Sequence, residues 1–232
     1  MSDQDTKALL RKLAAGAGNK EHKFSDARVS ELERAILSRR LDRERERAKL
    51  ADDARWFERF RRLVPLDDWR FAWDDELRLR TQAVEAIDRW RIERHYERSL
   101  FLLGPRDIGK TIAAGYAVKH WCRASTSIAW LHPNDFVSAI LAPWSDEAKE
   151  IALGDWNVIN DMGAQKERVE DFGEALADEL ERGKRKYLIT SNLDPDQIHE
   201  RYAKTRLYKA MHHATCEVFV GCIGLRTKRE GW

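Results

Sequence analysis

Hydrophobic and polar positions follow two different rhythms along this chain. From Ser99 onward, short apolar runs of strand length alternate with segments whose apolar residues recur at helical spacing. The pattern predicts strands at Ser99–Leu103, Ser127–Leu131, Trp156–Asn160, Lys186–Thr190 and Glu217–Gly221. Helices are predicted over Lys110–Ala124, near Asn134–Leu141, and over Glu167–Gly183, which ends on a glycine as helix termini commonly do. Strands alternating with helices imply an α/β fold with a mostly parallel sheet between helical layers.

Ahead of residue 99 the rhythm is helical. Leu79, Ala83, Ala86, Ile87 and Trp90 fall on one face of a helix predicted over 75–97. Residues 1–60 read as helices, with a narrow stripe of Val29, Leu32 and Ile36 and a break near Ala15–Gly18. The run LDRERERAKLADDAR alternates acids and bases, which suits a solvated helix laced with i,i+4 pairs or a linker. Such a segment is either a plain charged face or an arm that binds a partner. Between these parts, Trp56, Phe57, Phe60, Trp69, Phe71 and Trp73 are expected to anchor a linker on the following domain; stacking of nucleic-acid bases is the alternative. Three regions result: a charged helical extension at 1–60, an aromatic linker and helix at 61–98, and a core at 99–232.

Composition narrows the classes. Of 232 residues, 43% are apolar and 35% charged, so a core is affordable and the excess charge belongs on exposed helices. A net charge of +2 creates no global basic field that would demand nucleic acid. Local clusters at Arg182, Lys184, Arg185 and Lys186, and at Arg226, Lys228 and Arg229, are either ordinary solvated charge or phosphate contacts. Cys122, Cys216 and Cys222 are too few and scattered for a disulfide framework or a zinc site, and His212-His213 lacks companion ligands. The opening residues carry early acids and no long apolar core, and no apolar run is long enough for a membrane. A soluble cytoplasmic protein is expected.

The chemistry concentrates at Gly104-Pro105-Arg106-Asp107-Ile108-Gly109-Lys110-Thr111, which satisfies G-x-x-x-x-G-K-[ST] at every fixed position. The glycines let the backbone curl so that successive N–H groups face phosphate oxygens, and the following helix adds its positive end. Lys110 supplies a point charge for the β- and γ-phosphates of ATP, and the Thr111 hydroxyl is a ligand for Mg²⁺. The motif follows an apolar strand and opens an amphipathic helix, the context that a P-loop requires. A second acidic element is expected at the end of another strand, and Asn160-Asp161 stand there as candidate metal-shell residues with Asp161 to polarise water. Asn192, at the end of the fourth strand, is placed to orient a water near the γ-phosphate.

These three elements, in this order, resemble the AAA+ ATPases of the DnaC/IstB type, a group of bacterial replicative helicase loaders and transposition helper ATPases. The resemblance covers about residues 69–225: LFLLGPRDIGKT is similar to the Walker A segment, NVINDMGAQ to Walker B, and LITSNLDPDQIHERY to the sensor-1 strand and next helix, with Asn192 as the sensor. It implies a five-stranded parallel sheet of order 5-1-4-3-2, an ATP site completed by a neighbouring subunit's arginine, and self-assembly. Arg206 is the candidate for that arginine; a basic residue on a helix face is the alternative. The N-terminal helices would dock on a replicative helicase or a transposase, with single-stranded DNA as a further partner. Two departures stand out. Asn160 occupies the place of the group's first Walker B aspartate, and Ala210 that of a second arginine. Hydrolysis is therefore expected to be slow, or ATP to act as a switch with little turnover.

Overall fold

A computed structural model describes residues 26–65, 70–73, 81–94, 97–124, 126–143, 152–212 and 216–221. The chain divides into two compact units, Met1–Asp52 and Asp53–Trp232. Helix α1 (Asp26–Leu63) supplies the described part of the first. There the described side chains are almost all exposed, Leu37 and Leu50 at 57% and 64% among them, and Arg40 pairs with Glu44 one turn on at 3.2 Å. Of the expected stripe, Ile36 is 40% exposed; the side chains of Val29 and Leu32, and the break near Ala15–Gly18, lie outside the described residues.

The second unit is built on five parallel strands. In chain order its remaining elements are α2 (Arg70–Trp73), α3 (Gln82–Arg94), β1 (Ser99–Leu103), α4 (Lys110–Arg123), β2 (Ile128–Leu131) and α5 (Pro133–Leu141). They continue with β3 (Trp156–Met162), α6 (Val169–Arg182), β4 (Lys186–Ser191), α7 (Pro195–Arg201), α8 (Leu207–Met211) and β5 (Cys216–Val220). The strand order is β2-β3-β4-β1-β5, the expected 5-1-4-3-2 read from the other edge. All pairings are parallel, with Leu100 opposite Leu188 and Glu217, and Val158 opposite Leu188.

Both sheet faces are covered, which is why the central strands are continuous apolar runs. Alternation divides their side chains between two cores. Phe101, Leu103, Ile159, Tyr187 and Ile189 pack with α5, α6, α7 and α8 on one side. Leu100, Leu102, Val158 and Leu188 pack with α3 and α4 on the other. The second core includes part of the aromatic stretch. Phe60 is fully buried, Trp73 meets Phe57 and Phe60 at 5.1 Å each, and the Lys119 ammonium stands 5.6 Å from the Trp73 ring while donating to its carbonyl. Trp69 and the side chain of Phe71 lie outside the described residues.

Three tryptophans lock α3 and α4 to the start of β3. Trp121 stacks on Trp156 at 4.9 Å, and Trp90 meets both edge-on at 6.1 Å. Trp90 is 1% exposed, and its indole N–H donates to the Arg98 carbonyl at 3.0 Å. Trp90→Ala removes that ring and leaves the carbonyl unpaired; chemical denaturation should show a loss of about 3–5 kcal/mol.

Candidate phosphate-binding site

Where β1 ends, the chain must turn sharply to start α4. Gly104 and Gly109 adopt φ of 125° and 84°, and Asp107 a φ of 64°. Conformation alone does not explain the glycines. A Cβ on Gly104 would lie 2.4 Å from the Gly221 carbonyl oxygen, and one on Gly109 2.9 Å from the Thr81 side chain. Thr81 is itself fixed, since its hydroxyl accepts the Val84 amide at 3.2 Å at the start of α3. The loop is thus pinned between the end of β5 and the head of α3. Gly109 precedes α4 without a side-chain cap, so the helix's first amides face outward at its positive end.

Lys110 is 6% exposed, and its ammonium donates to the carbonyls of Gly104 at 2.8 Å and Pro105 at 2.7 Å. Burial pushes its pKa down to about 8, against the opposing pull of the Asp161 and Asp107 carboxylates. The charge is poorly solvated and stands ready for an anion. Pro105, Arg106 and Asp107 are exposed on the loop's outer turn, whereas Ile108 is buried beneath it.

The second part of the site comes from β3 and β4. The pairing Ile159 to Ile189 is followed by Met162 to Ser191, so β3 carries one extra residue here. This bulge contains Asn160 and Asp161, and Asp161 has a φ of 61°. Aspartate tolerates that left-handed backbone better than most residues. Thr190 clamps the bulge: its hydroxyl donates to Asn160 Oδ1 at 2.9 Å and accepts the Asp161 amide at 3.0 Å. Asn160 Nδ2 donates to Asp161 Oδ2 at 3.0 Å, and the Thr111 hydroxyl reaches Asn160 Oδ1 at 3.4 Å. One connected group therefore joins the P-loop helix to the ends of β3 and β4.

That group presents a hydroxyl, an amide oxygen and a carboxylate, all oxygen donors of the kind a hard divalent cation prefers. Among the described residues no cluster of three or more His, Cys, Asp or Glu competes with it. The donor set fits Mg²⁺, with one carboxylate where two acids would bind more tightly.

Asn192 and Arg206 are not part of the connected group. Asn192 is exposed just past β4, and its side chain makes no hydrogen bond among the described residues. Arg206 precedes α8 and is held by the acidic face of α6. Its guanidinium pairs with Glu174 at 3.0 Å, with Glu181 at 2.9 Å and with Asp178. The basic cluster around residue 184 is similarly engaged: Arg182 and Arg185 pair with the buried Glu179, and Lys186 donates to the Gly183 carbonyl. Arg226, Lys228, Arg229, Cys222 and His213 lie outside the described residues. Cys122 and Cys216 are buried and stand outside any disulfide, and burial pushes the Cys122 thiol up to about 11. No helix among the described residues is long and apolar enough to cross a membrane.

Sequence reasoning read Thr190 only as a strand residue. Its role depends on which β4 side chain faces the β3 bulge, and a bulge leaves no periodic signal.

No model of a known protein family matches the chain, and no curated protein matches it. Solved structures do. A putative primosome component from Streptococcus pyogenes serotype M3 is similar with a TM-score of 0.50 and 16% identity, over 70% of this chain and 92% of that one. A DnaI structure follows with a TM-score of 0.48 and 18% identity, over 66% of this chain and 88% of that one. AMPPCP-bound DnaA from Aquifex aeolicus gives a TM-score of 0.43 and 14% identity, over 60% of this chain and 45% of that one. The five parallel strands in the order β2-β3-β4-β1-β5, flanked by helices and with the glycine loop between β1 and α4, form an α/β fold of the P-loop kind. The sequence resemblance to the DnaC/IstB type and the shared fold with the solved primosome component agree.

The lowered Lys110 pKa has a measurable consequence. A triphosphate beside the ammonium raises that pKa, so binding at pH 8 should take up about half a proton and at pH 6.5 almost none. Calorimetry in buffers of different ionisation enthalpy measures the uptake, and Lys110→Met should abolish it.

Proposed function

We propose that this chain binds ATP with Mg²⁺ at Gly104–Thr111 and acts in DNA replication as a slow AAA+ ATPase that loads or remodels a replicative helicase on single-stranded DNA. The observation that supports the site most directly is the hydrogen-bonded set Thr111, Asn160, Asp161 and Thr190 at the mouth of the P-loop. The amides at the head of α4 receive phosphate oxygens, and Lys110 exchanges its two carbonyl partners for the outer phosphates. Thr111, Asn160 and Asp161 would hold Mg²⁺, which would neutralise charge on the phosphates. Thr111 and Asn160 hold that side of the site, and Asp161 orients the attacking water. Asn192, exposed just beyond β4, is proposed to orient a water near the γ-phosphate.

Slow turnover follows from Asn160. A neutral amide supplies an oxygen but no charge, so the site is electrostatically poorer than one with two acids. The same observation favours a second reading, an adaptor that uses ATP as a switch with little hydrolysis. Arg206 is proposed to complete a neighbour's site. It sits at the surface on exposed ion pairs, which are weak enough to exchange for a phosphate. Residues 1–60 are proposed as the arm that docks on the helicase.

Phosphate release, with and without single-stranded DNA, tests the catalytic claim. Lys110→Ala should weaken nucleotide binding at least about tenfold. Asn160→Asp should accelerate turnover about tenfold by restoring the charge. An unchanged rate in Asn160→Asp would show that the neutral amide is not what limits hydrolysis. Deleting residues 1–50 should abolish co-purification with the host's replicative helicase and leave nucleotide affinity intact; retained capture would sink the arm.

A further inference from the structure

Directly after the Asn160–Asp161 bulge, β3 leaves the sheet through a tight turn in which the Ala164 amide donates to the Asp161 carbonyl at 3.0 Å. The next residue, Gln165, is a polar side chain only 3% exposed. Its Oε1 accepts the Gly163 amide at 2.8 Å, and its Nε2 donates to the Tyr202 hydroxyl at 2.6 Å. Its backbone carbonyl accepts from the Arg201 guanidinium. One residue is therefore bonded on one side to the turn that carries Asp161, and on the other to the C-terminal end of α7.

The far side is equally firm. Tyr202 is 1% exposed, and its carbonyl accepts both the amide and the hydroxyl of Thr205, at 2.8 Å and 2.9 Å. Thr205 lies against Gly173 of α6, where an added Cβ would come within 2.6 Å of its hydroxyl oxygen. Arg206 is the next residue. A buried amide and a buried phenol that satisfy each other cannot separate cheaply, because each would be left unpaired away from water. Movement of the Asp161 turn is consequently passed to the segment Arg201–Arg206.

We infer that Gln165 is a positioning residue that couples the Asp161 turn to the Arg201–Arg206 connector, so that nucleotide at the P-loop is sensed where Arg206 is presented. The inference rests on the proposed nucleotide binding at Gly104–Thr111. Coupling here needs no displacement of the core. The bulge and the connector each end a regular element, and Gln165 ties one end to the other.

The test uses the full chain with AMPPCP and Mg²⁺, measuring affinity by calorimetry and amide hydrogen exchange over residues 199–206 by mass spectrometry. In the parent protein, nucleotide should slow exchange in that segment at least about fivefold. Gln165→Leu should bind nucleotide with the parent's affinity while losing the slowing. Tyr202→Phe keeps the ring in the core, removes only the hydroxyl, and should lose it too. Gln165→Glu keeps an acceptor for Gly163 and an acceptor for the Tyr202 hydroxyl, and should retain the slowing. A purely structural role would lower stability in Gln165→Leu and Tyr202→Phe and leave the nucleotide response as in the parent; that outcome overturns the coupling. If Gln165→Leu fails to fold, a parent-like response in Tyr202→Phe overturns it alone. Parent protein that binds AMPPCP without any slowing at 199–206 refutes the coupling but not the nucleotide site. Parent protein that binds no nucleotide refutes both.

Discussion

The Thr190 hydroxyl carries two hydrogen bonds that fix the geometry of the site. It holds the Asn160 side chain with its proton and the Asp161 amide with its lone pair, and together with the Ser191 hydroxyl, which donates to the Met162 carbonyl at 2.7 Å, it closes the β3 bulge against β4. A one-residue slip of the bulge would exchange which side chain points at the P-loop. The clasp works because β4 lies between β1 and β3. A residue at its end can therefore reach β3 while β1 delivers the P-loop on its other side. Everything proposed about phosphate and metal depends on this small set of distances.

A second constraint is electrostatic. Lys110 is buried, and among the described residues its ammonium donates to two loop carbonyls and feels the nearby Asp161 and Asp107 carboxylates. Burial is the larger effect and lowers its pKa to about 8, and the Asp161 and Asp107 carboxylates oppose it only in part.

Much of this arrangement was legible in the residues. The run SLFLL, the motif GPRDIGKT and the amphipathic segment after it specify strand, loop and helix without ambiguity, because each rests on a local rule. The end of β3 was less legible. The apolar run predicts a strand ending at Asn160, but β3 continues to Met162 through the bulge, which no period reveals. Helix α7 has a readable start, with Asp194 as N-cap, Pro195 at the first position and Gln197 closing the capping box. Helix α8, at five residues, has too few turns for a periodic signal. The acidic face of α6 at Glu174, Asp178 and Glu181 follows helical spacing, but its partner Arg206 arrives from a loop and could be placed only by the fold.

Arg206 and Gln165 illustrate why local rules stop short of function here. The P-loop is made by neighbouring residues, so its chemistry is written in one short segment. The Arg206 clasp and the Gln165 bridge join segments that are distant in the chain, and they matter because each uses polar groups that could be satisfied in another way. Arg206 is held by Glu174, Asp178 and Glu181 at the surface, where another molecule can reach it. Gln165 and Tyr202 have no such access, being sealed from solvent and dependent on each other. A stiff buried link that ends beside a surface charge is suited to carrying a change outward from the proposed nucleotide site and delivering it where another molecule can meet it.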